Sequence, residues 1–477
     1  MPEETAGLTA FFDGPLSFSS MAAQALLHYG IRHASQERAR WRVTAAEGES
    51  GYDLSVREGS RLLYGRKGLK DRRACAHALM DGLSALTGIP LGKWGYLLGM
   101  RPEKALYPFL SRPDFEEAAR HFLREEKVSP EMTELLCEAA RAHQAVLARE
   151  AVPEKEAALY LHVPFCPSHC VYCSFPAAIA PPPGAVSSYA QALSRDASAA
   201  LALAREKGLH IESVYMGGGT PSVLSPRQMD QVLGVLTRGG LSLSTLECTV
   251  EAGRPDTITE TLLQVLAARG VSRISINPQT MQDRILRRIA RAHTKDDIFR
   301  AFRAARRAGF AAVNMDFICG LPGETLADMN ENLDVICQLR PENVTIHTLA
   351  VKRGSPFYGR EEAYDLPPAE EVEAMLGLSR ERLREAGYHP YYLYRQKYMT
   401  DDFANVGYAL PGHDSVYNIQ MIGERQHVIG AGAGAVSKRV LPGGFRLRKL
   451  YMPRAPELYE KELPGLIRRR RALWDGE

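Results

Sequence analysis

The chain has 477 residues, of which 45% are hydrophobic, a length that exceeds one ordinary core and predicts two or three domains. Its net charge of +3 at pH 7 is close to neutral for this size and argues against a nucleic-acid partner. Because the sequence has no run of about 18 apolar residues and no signal-peptide pattern in residues 1–14, we expect a soluble, cytoplasmic protein without a membrane span.

The first 150 residues predict an α+β module. Trp41 to Arg66 has the pattern of strands joined by polar turns. Helical patterns follow at residues 70–86 and 114–148. We expect residues 1–150 to form a domain of their own.

From about residue 158 the chain alternates short apolar, β-branched runs with longer helical ones, which predicts repeated βα units and a parallel sheet. The predicted strands are 159–163, 213–216, 248–251, 273–276, 313–317 and 344–348. The predicted helices are 186–206, 226–237, 257–268, 295–308 and 326–338. Six such units fit an incomplete barrel better than an open sheet, which the spacing alone does not exclude. Both architectures place the chemistry at the carboxyl ends of the strands.

The partial barrel is predicted to occupy residues 151–365. Residues 366–477 form a third, mixed region that begins with a long charged helix at 368–386 and ends near the arginine run 468–471. Because no aromatic residues are interleaved with these arginines, a solvated tail explains the run better than nucleic-acid binding.

Three of the eight cysteines, Cys166, Cys170 and Cys173, lie in one short segment just after the first barrel strand. Thiolates at this spacing can ligate three irons of a 4Fe-4S cluster, and no nearby cysteine completes the set. The fourth iron then stays open to a ligand, for which we expect S-adenosylmethionine (SAM). The alternative is a zinc site that takes His162 or His169 as a further ligand.

A glycine-rich segment follows the second barrel strand. Residues 217–221 read Gly-Gly-Gly-Thr-Pro and would bring free backbone amides close to the amino-acid end of SAM. A tight turn between a strand and a helix explains these residues about as well. Tyr172, between the second and third cysteines, could pack on an adenine or belong to the core.

Polar side chains end the next three strands. The position of Glu251 at a strand end predicts a contact with a ribose hydroxyl or an ammonium group. An ion pair with Arg254 or Arg273 explains the residue equally well. Asn277 to Gln279 and Asn314 to Asp316 end the fourth and fifth strands, where buried polar groups need partners.

These motifs together resemble the radical SAM superfamily and, within it, the oxygen-independent coproporphyrinogen III oxidase family. The resemblance rests on Tyr160 to Cys166, Gly217 to Pro221, Glu251, Gln279 with Arg291, and Asp316 to Gly323. The HemZ branch of that family is most similar, since it shares an extension like residues 91–104 and the late segments at 405–409, 419–420 and 430–438.

The resemblance implies an α/β fold with an incomplete (βα)6 radical SAM barrel, and it places a 4Fe-4S cluster on Cys166, Cys170 and Cys173. The implied first SAM site is lined by Tyr160, Gly218, Glu251 and Val436. A second SAM site would be lined by Tyr172, Gly219, Thr220, Gln279, Arg291, Asp316 and Ala350.

The resemblance also implies an activity, the oxidative decarboxylation of coproporphyrinogen III to protoporphyrinogen IX in anaerobic haem biosynthesis. It would proceed through a 5'-deoxyadenosyl radical and need an electron donor such as flavodoxin or ferredoxin. Because the substrate carries four propionates, we expect cationic partners. The candidates are Arg291, Lys352, Arg353, Arg395 and Lys397.

The chain departs from the best-studied oxidases at two places. Those oxidases carry another cysteine two residues after the third cluster ligand, where this chain has Ser174 and Phe175. Their Arg-Tyr-rich N-terminal segment is also absent. Two other functions therefore stay open: a haem-binding or haem-transfer protein, and a radical SAM methyltransferase that acts on a tetrapyrrole such as haem.

Overall fold

The computed structural model describes residues 8–147, 155–395, 403–442 and 446–476. The chain divides into two compact units between Cys137 and Glu138. The domain boundaries expected at residues 150 and 365 stay predictions.

The N-terminal unit is an α+β module. Its elements are β1 (Thr9–Asp13), α1 (Leu16–His28), β2 (Arg32–His33), β3 (Trp41–Gly48), β4 (Gly51–Glu58), β5 (Arg61–Leu69), α2 (Arg72–Thr87), a 3-10 helix (Pro102–Phe109), α3 (Phe115–Glu125) and α4 (Pro130–Leu147), which runs past the unit boundary. The strands form one sheet in the order β2-β1-β3-β4-β5. The predicted strands within residues 41–66 are confirmed, whereas β1 and α1 were not predicted.

The single helix predicted over residues 114–148 is wrong, because α3 and α4 are separate. Lys127 adopts the left-handed conformation with φ 53° and ends the first helix. Ser129 Oγ then accepts a hydrogen bond from Met132 N at 3.2 Å, and Pro130 occupies the first position of α4. The Ser-Pro pair is the sequence signal for this new helix start.

The second unit contains the parallel strands. In chain order its strands are β6 (Glu156–Val163), β7 (Phe165–Cys166), β8 (Ala178–Ile179), β9 (His210–Gly218), β10 (Glu247–Gly253), β11 (Arg273–Ile276), β12 (Ala312–Cys319), β13 (Asn343–Thr348), β14 (His389–Arg395), β15 (Ala404–Ala409), β16 (His427–Ala431), β17 (Val436–Val440) and β18 (Leu447–Tyr451). The six predicted strands are confirmed as β6 and β9 to β13. They lie side by side in chain order, each parallel to the next, as a partial βα barrel requires.

The helices of this unit lie between and after the strands. They are α5 (Pro183–Glu206), α6 (Pro226–Arg238), α7 (Glu260–Ala268), α8 (Asp283–Arg288), α9 (Lys295–Ala308), α10 (Leu326–Leu339), α11 (Ala369–Glu385), α12 (Val416–Gly423) and α13 (Pro456–Asp475). Capping boxes start α6, α9 and α10, which explains why these helices begin where the sequence predicts. Helix α7 begins three residues later than predicted because the Thr259 side chain caps it.

The region after residue 366 extends the barrel sheet at both edges. β15 pairs antiparallel with β13, and β16 pairs parallel with β6. Within the described residues, eleven strands form this one sheet. The sequence analysis did not predict these added strands, because short Gly- and Ala-rich runs such as β16 lack the alternation that marks a strand.

The interpretation of Arg468 to Arg471 as a solvated tail is wrong for part of the run. These residues lie on α13, where Arg470 is only 1% exposed and pairs with Asp196 of α5. Arg471 is exposed and pairs with Glu206. None of the helices in the described ranges combines the length and the apolar character needed to cross a membrane.

Candidate active site

The inner face of the parallel strands is polar. Leu159, Leu161 and Val250 are buried core residues, and the positions that alternate with them carry Tyr160, His162 and Glu251. Tyr160 stacks on Tyr215 of the neighbouring strand, with ring centroids 6.2 Å apart. The barrel interior therefore presents polar side chains to its open end.

The cysteine loop, residues 166–175, is held in place by backbone hydrogen bonds. Ala180 N donates to Cys166 O at 2.8 Å, which ties the loop to the strand pair β7 and β8. Val171 N donates to Ile289 O at 3.2 Å, and Phe357 N donates to Val171 O at 3.0 Å. The loop lacks regular helix or strand structure after Cys166, yet both of its sides are anchored to the barrel.

Two of the three thiols have close polar neighbours. Cys166 Sγ is 3.1 Å from Thr220 Oγ1, and Arg254 Nη1 is 3.7 Å from Cys170 Sγ. Burial raises the pKa of Cys166, and it raises the pKa of Cys173 to about 11. Since a thiol must lose its proton to bind iron, metal binding at this loop would release protons.

The three glycines at the end of β9, residues 217–219, are required by close contacts. A Cβ atom at Gly219 would lie 2.4 Å from Phe165 O and 3.2 Å from Cys166 Sγ. A Cβ atom at Gly217 would lie 2.8 Å from Glu251 Oε2. Gly218 has φ 115° and would place a Cβ atom 2.7 Å from the His162 ring. The segment therefore does more than turn the chain, because it lets the backbone approach Phe165, His162 and Glu251 more closely than a side chain would allow.

Glu251 is paired with a tyrosine and with neither arginine that the ion-pair alternative names. Tyr215 Oη donates to Glu251 Oε1 at 2.5 Å. Arg254 pairs with Asp256 at 3.1 Å, and Arg273 lies 4.0 Å from Glu247. Burial raises the pKa of Glu251 to about 7, so this carboxyl group is readily protonated near neutral pH.

The strand ends that carry Asn277, Gln279 and Asp316 meet next to Glu251. Gln279 N donates to Asp316 O at 2.9 Å, and Gln279 has a positive φ of 70°. Burial would raise the pKa of Asp316, but hydrogen bonds from His347 and Asn314 lower it, so this carboxylate stays charged. Among the described residues, Asn277 Oδ1 and Gln279 Oε1 are buried acceptors without a hydrogen-bond partner.

Arg291 connects these strand ends to the cysteine loop. Its Nη2 donates to Asn277 O at 3.2 Å. Arg291 is buried, which lowers the pKa of its guanidinium, but the nearby Tyr172 and Cys170 raise this pKa by more. Arg291 therefore stays charged beside the thiols, and Tyr172 belongs to the site rather than to the general core.

Two predicted residues lie at the edge of this cluster. Ala350 is buried just after β13, in the segment that leads to the contact between Phe357 and the cysteine loop. Val436 begins β17. Its backbone lies so close to residue 430 that only glycine fits there, and Gly430 is paired with Tyr160 in the sheet.

The two histidines of the zinc alternative already have close neighbours. His169 Nε2 lies 2.8 Å from Cys173 O, and the His162 ring lies between Gly218 and Gly434. In the described ranges, no group of three or more His, Cys, Asp or Glu side chains is placed to hold a single metal ion.

Sequence reasoning missed three residues of the site. Arg254 was considered only as a partner of Glu251, yet Asp256 holds it against Cys170. Tyr215 and His347 were included only as strand residues. An Arg-Pro-Asp segment directly after a strand was the available signal for Arg254, whereas the register that aligns Tyr215 with Glu251 is visible only in the folded sheet.

Comparison with known proteins agrees with this geometry. A family model described as the radical SAM superfamily matches residues 160–336. The oxygen-independent coproporphyrinogen-III oxidase-like protein HemZ of Bacillus subtilis is 35% identical over 393 residues, 82% of this chain and 78% of that protein. The heme chaperone HemW of Bacillus subtilis is 31% identical over 280 residues, 58% of this chain and 69% of that protein.

A solved structure shares the fold. Coproporphyrinogen III oxidase (HemN) from Escherichia coli, described as a radical SAM enzyme, superposes with a TM-score of 0.53 at 22% identity. The match covers 68% of this chain and 72% of that one.

Proposed function

Because the chain belongs to the HemZ branch of the oxygen-independent coproporphyrinogen III oxidase family, within the radical SAM superfamily, we propose that it is an oxidative decarboxylase of a tetrapyrrole. The proposed substrate is coproporphyrinogen III, and the proposed product is protoporphyrinogen IX. Two of the four propionate side chains would become vinyl groups.

One observation carries this proposal. The cysteine loop meets a set of polar strand ends whose acceptors have no partner in the described protein, namely Asn277 Oδ1 and Gln279 Oε1. Buried polar groups are nearly always hydrogen-bonded, so open acceptors at these strand ends point to a bound molecule. Arg291 connects them to the cysteine loop, since its Nη2 donates to Asn277 O at 3.2 Å and its guanidinium interacts with Tyr172 and Cys170.

The residues present fit a 4Fe-4S cluster with SAM. Cys166, Cys170 and Cys173 would hold three irons, and Gly219 brings its backbone close to Cys166, where a Cβ atom would lie 3.2 Å from the Sγ atom. Bound and reduced by a low-potential donor such as a flavodoxin or ferredoxin, the cluster and SAM supply removal of one hydrogen atom from a substrate carbon.

The side chains of this site have separate roles. Arg254, fixed by Asp256, places a positive charge beside Cys170 and would offset the charge of a thiolate cluster. Glu251, oriented by Tyr215, would accept a hydrogen bond from a ribose hydroxyl. Gln279 and Asn277 would supply acceptors to the ammonium group of an amino acid.

The proposed reaction balances at each propionate of the substrate. The CH2 group bonded to the pyrrole ring loses one hydrogen atom, which ends in the methyl group of 5'-deoxyadenosine. The bond to the carboxylate carbon then breaks and releases CO2, while one electron passes to a one-electron acceptor. The two remaining carbons form the vinyl double bond, and the second propionate repeats the sequence.

The predicted propionate partners differ in their surroundings. Lys352 Nζ lies 4.9 Å from the ring centroid of Phe175, beside the cysteine loop, and burial lowers its pKa. Arg353 Nε contacts Tyr358 Oη at 3.2 Å, and Arg395 is buried with its pKa lowered to about 10. Lys397 lies outside the described residues. Lys352 is therefore the cation we propose for a substrate carboxylate.

One observation favours haem binding as a second candidate function. Phe175 is 58% exposed although it follows the cluster loop directly, and Lys352 lies over its ring. An exposed aromatic face suits a planar macrocycle, with the ammonium group near a propionate. The relative named heme chaperone HemW makes this function the natural competitor.

The test is anaerobic reconstitution with iron and sulfide, followed by reduction in the presence of SAM and coproporphyrinogen III. We expect vinyl product and 5'-deoxyadenosine, both measured by mass spectrometry. Formation of 5'-deoxyadenosine without vinyl product would contradict the decarboxylase. A Soret band on addition of haem, with coproporphyrinogen left intact, would favour the haem-binding protein instead.

A further inference from the structure

A buried ion pair connects the C-terminal helix to the barrel. Arg470 on α13 is 1% exposed, and Asp196 on α5 is 0% exposed. Arg470 Nη2 lies 2.7 Å from Asp196 Oδ1. Burying two charges costs free energy that their mutual attraction alone seldom recovers, so such a pair needs further hydrogen bonds or another purpose.

The two side chains also bind the backbone at the end of β16 and in the turn after it; residues 430–434 are called the turn below. Arg470 Nη1 donates to Gly430 O at 2.8 Å, and Gly432 N donates to Asp196 Oδ2 at 3.0 Å. Tyr459, also on α13, donates from its hydroxyl to the same Asp196 oxygen at 2.7 Å. The pair therefore binds both ends of a three-residue backbone segment.

A second tyrosine joins this turn to the strand that leads into the cysteine loop. Tyr189 Oη donates to His162 O at 2.6 Å and accepts from Ala433 N at 2.9 Å. A Cβ atom at Gly432 would lie 2.4 Å from His162 O, so the two backbones are in direct contact. His162 is four residues before Cys166.

The His162 ring lies between two glycine segments. A Cβ atom at Gly434 would lie 3.1 Å from the ring on one side, and a Cβ atom at Gly218 would lie 2.7 Å from it on the other. Both glycines have positive φ, 84° at Gly434 and 115° at Gly218. A shift of the turn would therefore reach Gly218, which borders the space proposed for SAM.

We infer that α13 positions the SAM-binding end of the barrel, with the Arg470–Asp196 pair holding the 430–434 turn against His162. This inference rests on the proposed function, because it assigns the turn a role toward SAM. Arg470 and Asp196 are positioning residues, since they act through backbone that they hold in place.

The competing explanation is that the pair only stabilises the fold. Arg471 supplies a matched control, because it joins the same two helices through Glu206 but lies at the surface and does not contact the turn. The test compares R470M, the double variant R470M/D196N and R471M with the wild type. The double variant matters because it leaves no unpaired charge in the interior, so it folds even where R470M does not.

Two measurements distinguish a positioning role of the Arg470–Asp196 pair from a purely stabilising one. The first is the dissociation constant of SAM for the reconstituted protein, from the change of the reduced-cluster EPR signal during titration. The second is amide hydrogen exchange of residues 430–435 in the protein without cluster. We expect both R470 variants to bind SAM at least about tenfold more weakly. A loss of this size is typical when a residue that orients a metal ligand without binding the metal is replaced. Exchange at the turn should rise as well, while R471M behaves as wild type.

The inference is overturned if the folded double variant binds SAM within about twofold of wild type, since a tenfold loss is expected from displaced supporting residues. Equal losses in R471M and R470M would also overturn it, because general loosening of α13 would then suffice. If the wild type itself binds no SAM, the proposed function fails. If the wild type binds and the double variant binds equally, only this inference fails.

Discussion

The two ends of β10 place their glutamates in opposite surroundings. At the amino end, Glu247 accepts hydrogen bonds from Ser415 Oγ at 2.8 Å, from Val416 N at 2.9 Å and from Tyr417 N at 2.9 Å. Arg273 donates to His413 O at 3.0 Å and to Asn343. These groups satisfy one another and cap α12.

At the carboxyl end, comparable groups remain open. Asn277 Oδ1 and Gln279 Oε1 have no partner within the described residues, and Glu251 has a raised pKa. Glu247 and Glu251 lie on the same strand, four residues apart. A glutamate therefore stabilises the fold at one end of β10, whereas a glutamate at the other end is available to a ligand.

The largest expected effect is at the cysteine loop. C170A should abolish both the site-differentiated cluster and SAM cleavage, because only two of the proposed thiolate ligands remain. C248A removes an equally buried thiol from β10 and is the matched control, expected to keep both. Iron content and 5'-deoxyadenosine are the measurements. Cleavage of SAM by C170A would refute the cluster assignment.

At the amino end, R273M should destabilise the protein without affecting ligand binding. The substitution leaves the Glu247 carboxylate without its cation and Asn343 Oδ1 without its donor, at a cost of about 2–4 kcal/mol in the free energy of unfolding. Denaturant unfolding would measure this loss, and EPR titration should give an unchanged SAM affinity. A weakened SAM affinity in folded R273M would erase the proposed division between the two ends.

Glu251 should make stability depend on pH. Burial raises its pKa to about 7 from 4.5, so the neutral form is favoured on folding, and the associated stability is lost as pH rises through 7. E251Q stays neutral and should remove roughly 1–3 kcal/mol of the decline between pH 5 and 8. Unfolding of the protein without cluster, measured across this range, tests the prediction. The prediction is wrong if the free energy of unfolding of the wild type and of E251Q changes with pH by the same amount.

The smallest effect on stability is expected at Gln279. Its side-chain oxygen has no partner, so Q279M should change the free energy of unfolding by less than about 1 kcal/mol. The rate of SAM cleavage should nevertheless fall, because a proposed ligand acceptor is lost. A large loss of stability with full cleavage activity would reverse the roles proposed for the two ends.

The sequence predicted the parallel strands and the cysteine loop because both have local signals. β-branched runs mark β9 to β13, and three closely spaced cysteines have few other uses. It did not predict the C-terminal strands or the burial of Arg470, since both depend on partners far along the chain. Asp196 and Arg470 are separated by 273 intervening residues, and an arginine run at a chain end normally indicates a solvated face.

The candidate site divides in the same way. The cysteines, the glycine segment and the polar strand ends were predicted because they follow strands in the expected order. Arg254 and His347 were missed because their roles arise from side-chain contacts between separate segments of the chain, with Cys170 and Asp316 respectively. The ion-pair alternative for Glu251 could be decided only by the fold, which gives Arg254 to Asp256 and Arg273 to the amino end.

The most direct test of the central claim uses coproporphyrinogen III that carries deuterium on the propionate CH2 group bonded to the ring. The account predicts that the reconstituted, reduced protein with SAM transfers deuterium into 5'-deoxyadenosine, with one labelled molecule formed for each vinyl group. Unlabelled 5'-deoxyadenosine formed while all four propionates stay intact would contradict the account.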